Sequence, residues 1–132
     1  MIEHIGVAVK SIDESEKIFS TLLGSVPYKR EFVASESVTT AFYKTGNTKI
    51  ELLEAGSPES PVAKFIEKRG EGIHHIAIEV SDINKEMQRL RQEGFVFTYD
   101  KPRPGADNKM VVFIHPKSAN GVLVELCQEI RG

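Results

Sequence analysis

The stretch IEHIGVAV at residues 2–9 recurs as IHHIAIEV at residues 73–80, so that His75 lies 71 positions after His4. In both copies apolar residues alternate with other types, a period typical of a β-strand. Self-similarity at a fixed spacing indicates that the chain repeats one supersecondary unit. The repeat therefore decides the predicted architecture.

Each copy continues in the same order, from strand to helix to further strands. Ser11 and Asp82 are suited to capping a helix N-terminus, and Gly24 and Gly94 are suited to ending a helix. The residues predicted to be buried by the two helices are Ile12, Phe19, Leu22, Leu23, Ile83, Met87 and Leu90. The alternating segments predicted as strands are residues 37–44, 48–53, 95–99, 110–114 and 122–127.

The predicted fold class is α+β, with two tandem βαβββ modules related by a pseudo-twofold axis and a metal site between their curved sheets. Module one covers residues 1–56 and module two covers residues 72–132. Residues 57–71 between them are predicted to contain a connecting helix, because Ser60 followed by Pro61 is a typical helix start. The whole chain, 1–132, is predicted to form a single domain.

The composition excludes several classes of function. The chain has 132 residues, 27% of them charged, and a formal net charge of −2 with no clustered basic excess, which argues against general nucleic-acid binding. Its single cysteine, Cys127, cannot form an intrachain disulfide, as is usual in a reducing compartment. No signal peptide or membrane span is recognisable. We therefore expect a soluble cytoplasmic protein without a nucleic-acid or membrane partner.

A second match between the copies points to a metal site. GNTKIELL at residues 46–53 resembles NGVLVELC at residues 120–127, which makes Glu51 equivalent to Glu125. A carboxylate between apolar strand residues is costly to desolvate unless a cation meets it. Two imidazoles and two carboxylates that converge across a pseudo-twofold axis would suit a divalent ion. His4, Glu51, His75 and Glu125 are therefore the predicted metal ligands.

Each of these four residues, taken singly, also has an ordinary structural interpretation. A lone strand histidine is more often structural than ligating, and a glutamate that alternates with aliphatic residues is usually a solvent-facing one. His74 should point away from the face of its neighbour His75, which predicts that it does not ligate. His115 has no counterpart in the first copy and is predicted to make a loop or substrate contact. Cys127 is predicted to be a core thiol.

These motifs resemble the vicinal oxygen chelate superfamily, which includes glyoxalase I, extradiol dioxygenases and antibiotic-resistance proteins. Within it, the chain is most similar to the methylmalonyl-CoA epimerase family, through the following segments: GIHHIA at 72–77, KIELLE at 49–54, and HPKS at 115–118 with GVLVEL at 121–126. The resemblance implies that His4, His75 and Glu125 are metal ligands. The fourth ligand falls on Glu51, where epimerases can carry Gln. A carboxylate proposed as a base in the family aligns near Thr40, which cannot act as a base.

The resemblance implies metal-dependent epimerisation of a 2-carboxyacyl-CoA thioester, methylmalonyl-CoA, through an enolate stabilised by one divalent ion (Co, Mn, Ni, Mg or Zn). Glu125 and Glu51 are the implied bases on opposite sides of the α-carbon. His115 and Lys117 are the implied contacts to coenzyme A. Lys101, Arg103 and Lys109 lie in the same stretch of the chain and could also meet its phosphates. The alternative is a solvated, solubilising face, since Asp100 and Asp107 dilute the charge. The family also implies a homodimer.

Three alternatives remain open at this stage. Glyoxalase I shares the metal and the enediolate chemistry but acts on a glutathione hemithioacetal. A non-catalytic ligand-binding protein of the resistance type would often lack the four ligands, which are complete here. An extradiol dioxygenase is disfavoured because that class uses two histidines with one carboxylate.

Overall fold

A computed structural model describes residues 1–130 of the chain. Within that range the chain forms eight β-strands and three α-helices in the order that two successive βαβββ modules require, which confirms the α+β class. The chain divides into two compact units. The first unit is His4–His74, and the second unit joins Met1–Glu3 to the residues from His75 onward. No helix in the described range is both long and apolar enough to cross a membrane.

The first unit contains a four-stranded sheet with helix α1 after its first strand. The strand order is β2-β3-β4-β1, where β1 and β4 are parallel and the other pairs are antiparallel. Its elements are β1 (Ile2–Ala8, from His4 onward), α1 (Ile12–Leu23), β2 (Lys29–Val33), β3 (Val38–Thr45), β4 (Thr48–Ala55) and α2 (Pro61–Arg69). Helix α2 begins at the predicted proline, and the Ser60 hydroxyl accepts a hydrogen bond from the N–H of Val62 at 3.3 Å.

The second unit repeats the plan with a shorter edge strand. The strand order is β5-β8-β7-β6, where β5 and β8 are parallel and the other pairs are antiparallel. Its elements are β5 (Gly72–Glu79, from His75 onward), α3 (Ile83–Gln92), β6 (Arg103–Pro104), β7 (Lys109–Ile114) and β8 (Val124–Glu129).

The two helix starts match in atomic detail. The predicted N-caps are confirmed, since Ser11 accepts from the N–H of Glu14 at 3.2 Å and Asp82 accepts from the N–H of Lys85 at 3.1 Å. A side chain from the last strand of each module adds a second acceptor. Glu54 Oε1 accepts from the N–H of Ile12 at 2.8 Å, and Gln128 Oε1 accepts from the N–H of Ile83 at 2.7 Å. Each helix is thus tied to the strand that carries the predicted ligand Glu51 or Glu125.

Each unit has a buried apolar cluster on the sheet face that the helix covers. The buried cores are Val9, Ile12, Ala41, Tyr43 and Leu52 in the first unit, and Ile83, Met87, Val112, Ile114, Val124 and Leu126 in the second. These residues occupy alternate positions on β3, β4, β7 and β8, so the intervening residues face the other way. That opposite face is the one that carries the predicted ligands.

Two details of the sequence-based prediction are wrong. Leu22 is 70% exposed, because at 100° per residue it lies about 80° from the line through Ile12, Phe19 and Leu23. Residues 95–99 do not form a strand and make one isolated bridge, between Phe97 and Ile114. Their alternating aromatic residues pack against the core of the second unit. This packing produces a strand-like alternation in the sequence without the hydrogen bonds of a β-ladder. The edge strand of that sheet is instead the two-residue β6, whose Pro104 cannot donate to a ladder.

Candidate active site

In the first unit, His4 and Glu51 share one sheet face. Glu51 on β4 lies opposite Gly6 of parallel β1 and opposite Phe42 of antiparallel β3. His4 is two residues before Gly6 and therefore points to the same side. The alternation of β1 and β4 thus brings both predicted ligands away from helix α1.

The two side chains are in contact and almost completely buried. His4 Nδ1 lies 3.2 Å from Glu51 Oε2. Two donor atoms at right angles around an ion with bonds of about 2.1 Å would be about 3 Å apart. The observed separation therefore suits neighbouring metal ligands as well as a histidine–carboxylate ion pair. In either case each side chain gives the other a polar partner where isolation from water would be costly.

In the second unit, His75 and Glu125 repeat this arrangement. Glu125 on β8 lies opposite Ala77 of β5 and opposite Phe113 of β7. His75 Nε2 is 3.2 Å from Glu125 Oε1, again between buried side chains. The Phe113 ring packs edge-on against the His75 ring, with centroids 5.5 Å apart and planes at 88°. Each unit therefore contains one imidazole and one carboxylate in contact, donor types that suit a divalent ion.

Sequence reasoning missed the phenylalanines beside the carboxylates. Phe42 lies opposite Glu51 and Phe113 lies opposite Glu125, in the same register. The two are 71 positions apart, the same offset as His4 and His75, so the repeat itself was the available signal. Each ring forms an apolar wall next to a buried carboxylate.

A buried charged cluster in the second unit was also missed. Lys109 is 5% exposed, and its ammonium lies 3.6 Å from Glu129, 3.8 Å from Glu79 and 4.0 Å from Glu3. Glu3 is itself only 4% exposed. The grouping of Lys109 with candidate phosphate contacts is therefore wrong, since carboxylates surround its ammonium.

The remaining candidates fall outside the two histidine–carboxylate pairs. The His74 ring packs edge-on against Phe65 in the first unit, with centroids 5.0 Å apart. His115 Nδ1 accepts from the N–H of Lys117 at 3.1 Å and so caps the 3-10 turn Pro116–Ala119. Lys117 is exposed on that turn.

Cys127 is confirmed as a core thiol. It is completely buried, and its sulfur lies 3.7 Å from the carbonyl oxygen of Ile78, to which the thiol donates. Burial raises the pKa of the Cys127 thiol, and the Glu125 carboxylate raises the pKa further. The thiol is therefore protonated at neutral pH and does not supply a thiolate nucleophile.

Known proteins share this fold and much of this sequence. The model of the Glyoxalase/Bleomycin resistance protein/Dioxygenase superfamily matches residues 3–113. The ethylmalonyl-CoA/methylmalonyl-CoA epimerase of Cereibacter sphaeroides is 39% identical over 129 residues, which are 96% of this chain and 96% of that protein.

Solved structures agree. Methylmalonyl-CoA epimerase from Mycobacterium tuberculosis is 32% identical with a TM-score of 0.94, over 98% of this chain and 88% of that one. A Streptomyces coelicolor methylmalonyl-CoA epimerase variant in complex with 2-nitronate-propionyl-CoA is also 32% identical with a TM-score of 0.94, over 98% of this chain and 94% of that one. The chain therefore belongs to the methylmalonyl-CoA epimerase family of the Glyoxalase/Bleomycin resistance protein/Dioxygenase superfamily.

Proposed function

We propose that the protein is an isomerase that epimerises a 2-carboxyacyl-CoA thioester, methylmalonyl-CoA, by removing the α-proton and returning a proton to the opposite face. The observation that carries the proposal is the buried histidine–carboxylate pair that recurs at equivalent positions of both units. Membership of the epimerase family supports the same substrate class.

His4, Glu51, His75 and Glu125 would together hold one divalent ion. Two imidazoles and two carboxylates are a donor set that would suit such an ion. The bound ion, with Co, Mn, Ni, Mg and Zn as candidates, would supply Lewis-acid stabilisation of the enolate charge. The 3.2 Å separation within each pair supports this assignment.

Glu51 and Glu125 are the proposed bases. One side chain, as the carboxylate, would take the α-proton, and the other, as the protonated carboxylic acid, would give a proton to the opposite face. Both side chains are buried beside a phenylalanine, where little water competes for the proton. A carboxylate that also ligated an ion would be a weaker base than a free one.

The reaction is tested directly by solvent isotope exchange. Purified protein incubated with methylmalonyl-CoA in deuterium oxide should place deuterium at the α-carbon and interconvert the two epimers. Mass spectrometry and a chiral coupled assay follow these two events. A protein that forms lactoylglutathione from the hemithioacetal and leaves methylmalonyl-CoA unlabelled would instead be glyoxalase I. Protein that binds ligand without turning over either substrate would favour the resistance type.

The separate roles of the two glutamates can be tested by their amides. Glu51→Gln and Glu125→Gln should each retain measurable metal and lower turnover by about 100-fold or more, the usual effect of losing a general base. A variant with full turnover would restrict that glutamate to metal binding. Because Glu51 and Glu125 are equivalent positions, a difference in turnover between the two variants measures how far the two glutamates differ in their role.

Further parts of the proposal concern coenzyme A, assembly and location. Lys117 and His115 are the proposed contacts to coenzyme A, supported by the exposed Lys117 on the turn that His115 caps. Charge reversal at Lys117 should raise KM for the thioester and leave metal content unchanged. We also propose a homodimer, to be checked by light scattering. The location would be the cytoplasm, which is consistent with a protein whose one cysteine is a buried thiol.

A further inference from the structure

Thr40 is a polar residue on the ligand-bearing face of the first unit. It lies on β3 opposite Leu53, two residues before Phe42, which is opposite Glu51. Residues two apart on a strand point to the same side, so Thr40 faces the same way as Glu51. Diagonal neighbours of this kind are about 7–8 Å apart, a gap that a small acyl group can bridge.

The hydroxyl of Thr40 is isolated from the rest of the described chain. Thr40 is 0% exposed, and among residues 1–130 no atom forms a hydrogen bond with its Oγ1. A buried hydroxyl without a partner destabilises the folded state. The site face therefore contains a polar group whose burial the protein's own hydrogen bonds do not offset.

The second unit indicates that packing alone does not require this hydroxyl. The residue equivalent to Thr40 is Val111, which lies opposite Cys127 and two residues before Phe113. Val111 has the same branched shape and is likewise buried. A valine therefore fills the corresponding place in the other unit.

We propose that Thr40 is a substrate-binding residue whose hydroxyl donates a hydrogen bond to an oxygen of the 2-carboxyacyl group. The inference rests on the proposed function. Carboxylate and enolate oxygens are acceptors, so a hydroxyl fixed on the site wall supplies the complementary donor, and a charged acceptor makes the bond stronger. Because only the first unit carries it, the hydroxyl would also distinguish one side of the substrate from the other.

Replacement by the isosteric valine tests the proposal. Thr40→Val should lower kcat/KM for methylmalonyl-CoA by roughly 10- to 100-fold, the effect of losing one hydrogen bond to a charged oxygen. Its urea midpoint should stay the same or rise, because the isolated hydroxyl is gone. Thr40→Ser should keep most of the activity, since it retains the donor. Thr39→Val is the matched control, as Thr39 is the adjacent residue on the opposite face and its loss should leave kcat/KM unchanged.

Each other outcome overturns the inference in a recognisable way. If Thr40→Val keeps the parent kcat/KM while the parent protein epimerises its substrate, Thr40 does not bind it and the proposed function stands. If Thr40→Val lowers the urea midpoint together with activity, the hydroxyl is structural. If the parent protein incorporates no deuterium from solvent, the proposed function fails and this inference fails with it.

Discussion

The two units have the same chemistry next to the ligands and different chemistry further along the same strands. The row that contains the carboxylate is Gly6, Glu51 and Phe42 in the first unit and Ala77, Glu125 and Phe113 in the second. The next row is Ala8, Leu53 and Thr40 in the first unit and Glu79, Cys127 and Val111 in the second. The repeat is thus preserved in the row that carries the candidate ligand Glu51 or Glu125, and it diverges in the row after it.

The contrast is strongest one row further. The first unit has the apolar pair Val38 and Ala55, whereas the equivalent pair in the second unit is Lys109 and Glu129. Lys109 is buried among carboxylates, so this end of the second sheet is held by charge pairing and the corresponding end of the first by apolar packing. Equivalent positions can therefore be exchanged to learn which differences matter.

The largest effect is expected from removing the residues that the two halves share. His4→Ala and His75→Ala should each reduce bound metal below one ion per chain and lower deuterium incorporation by at least about 100-fold. Losing a group that merely orients a ligand already costs 10- to 100-fold in affinity or activity. Plasma mass spectrometry of purified protein measures the metal. His74→Ala is the control, because that ring packs on Phe65 and should leave metal content unchanged.

An outcome in which one histidine variant keeps a full complement of metal would break the equivalence of the two halves. That histidine would then only pair with its carboxylate partner, and the histidine of the other unit would bind the ion.

A smaller effect, on stability, should follow from breaking the charged row of the second unit. Lys109→Met should lower the free energy of unfolding by roughly 3 kcal/mol, because it removes a buried ammonium from among three carboxylates, one of which, Glu3, is itself buried. Urea denaturation gives the value. Adding Glu3→Gln to Lys109→Met should restore part of the loss, since it removes the charge of the buried carboxylate that faced the lost ammonium. Lys101→Met, at an exposed lysine, should change stability by less than about 0.5 kcal/mol.

The order of elements could be predicted from the sequence because local signals and the repeat agree. The N-caps Ser11 and Asp82 and the starts of β1 and β5 match the structure for this reason. The strand predicted at residues 95–99 was wrong, because the aromatic residues there alternate to fill the core and not to pair with a neighbouring strand. Local pattern cannot separate these two causes.

The candidate ligands could also be predicted, but their surroundings could not. His4, Glu51, His75 and Glu125 stand out as equivalent polar residues in apolar strands. The burial of Thr40 and Lys109 depends on the β3–β4 and β7–β8 registers, which pair residues that are distant in the sequence. Such pairings are set by tertiary packing, so a threonine or lysine in isolation indicates only an ordinary strand residue.

Exchanging the residue next to the carboxylate row sharpens the comparison. Val111→Thr gives the second unit the side chain that the first has at Thr40 and should lower the free energy of unfolding by about 1–3 kcal/mol, because a hydroxyl is buried without a partner. Urea denaturation compares it with Thr40→Val, which should change stability in the opposite direction or not at all. If Val111→Thr is neutral, a buried hydroxyl costs little on this face and the isolation of the Thr40 hydroxyl loses its significance.

The smallest expected effect is a pH dependence of stability that comes from Cys127 in the second unit. Its equivalent in the first unit is Leu53, which does not titrate. Burial, followed by the Glu125 carboxylate, raises the pKa of the folded thiol, so the unfolded thiol releases its proton first as pH rises. The stabilisation is complete well below the ordinary thiol pKa of about 8.5 and should be lost progressively above it, by about 1.4 kcal/mol at pH 9.5. The free energy of unfolding, measured in urea, should therefore fall more steeply between pH 7 and pH 10 for the parent protein than for Cys127→Val. Parallel pH profiles would mean that the buried thiol ionises as readily as one in solvent, which its complete burial argues against.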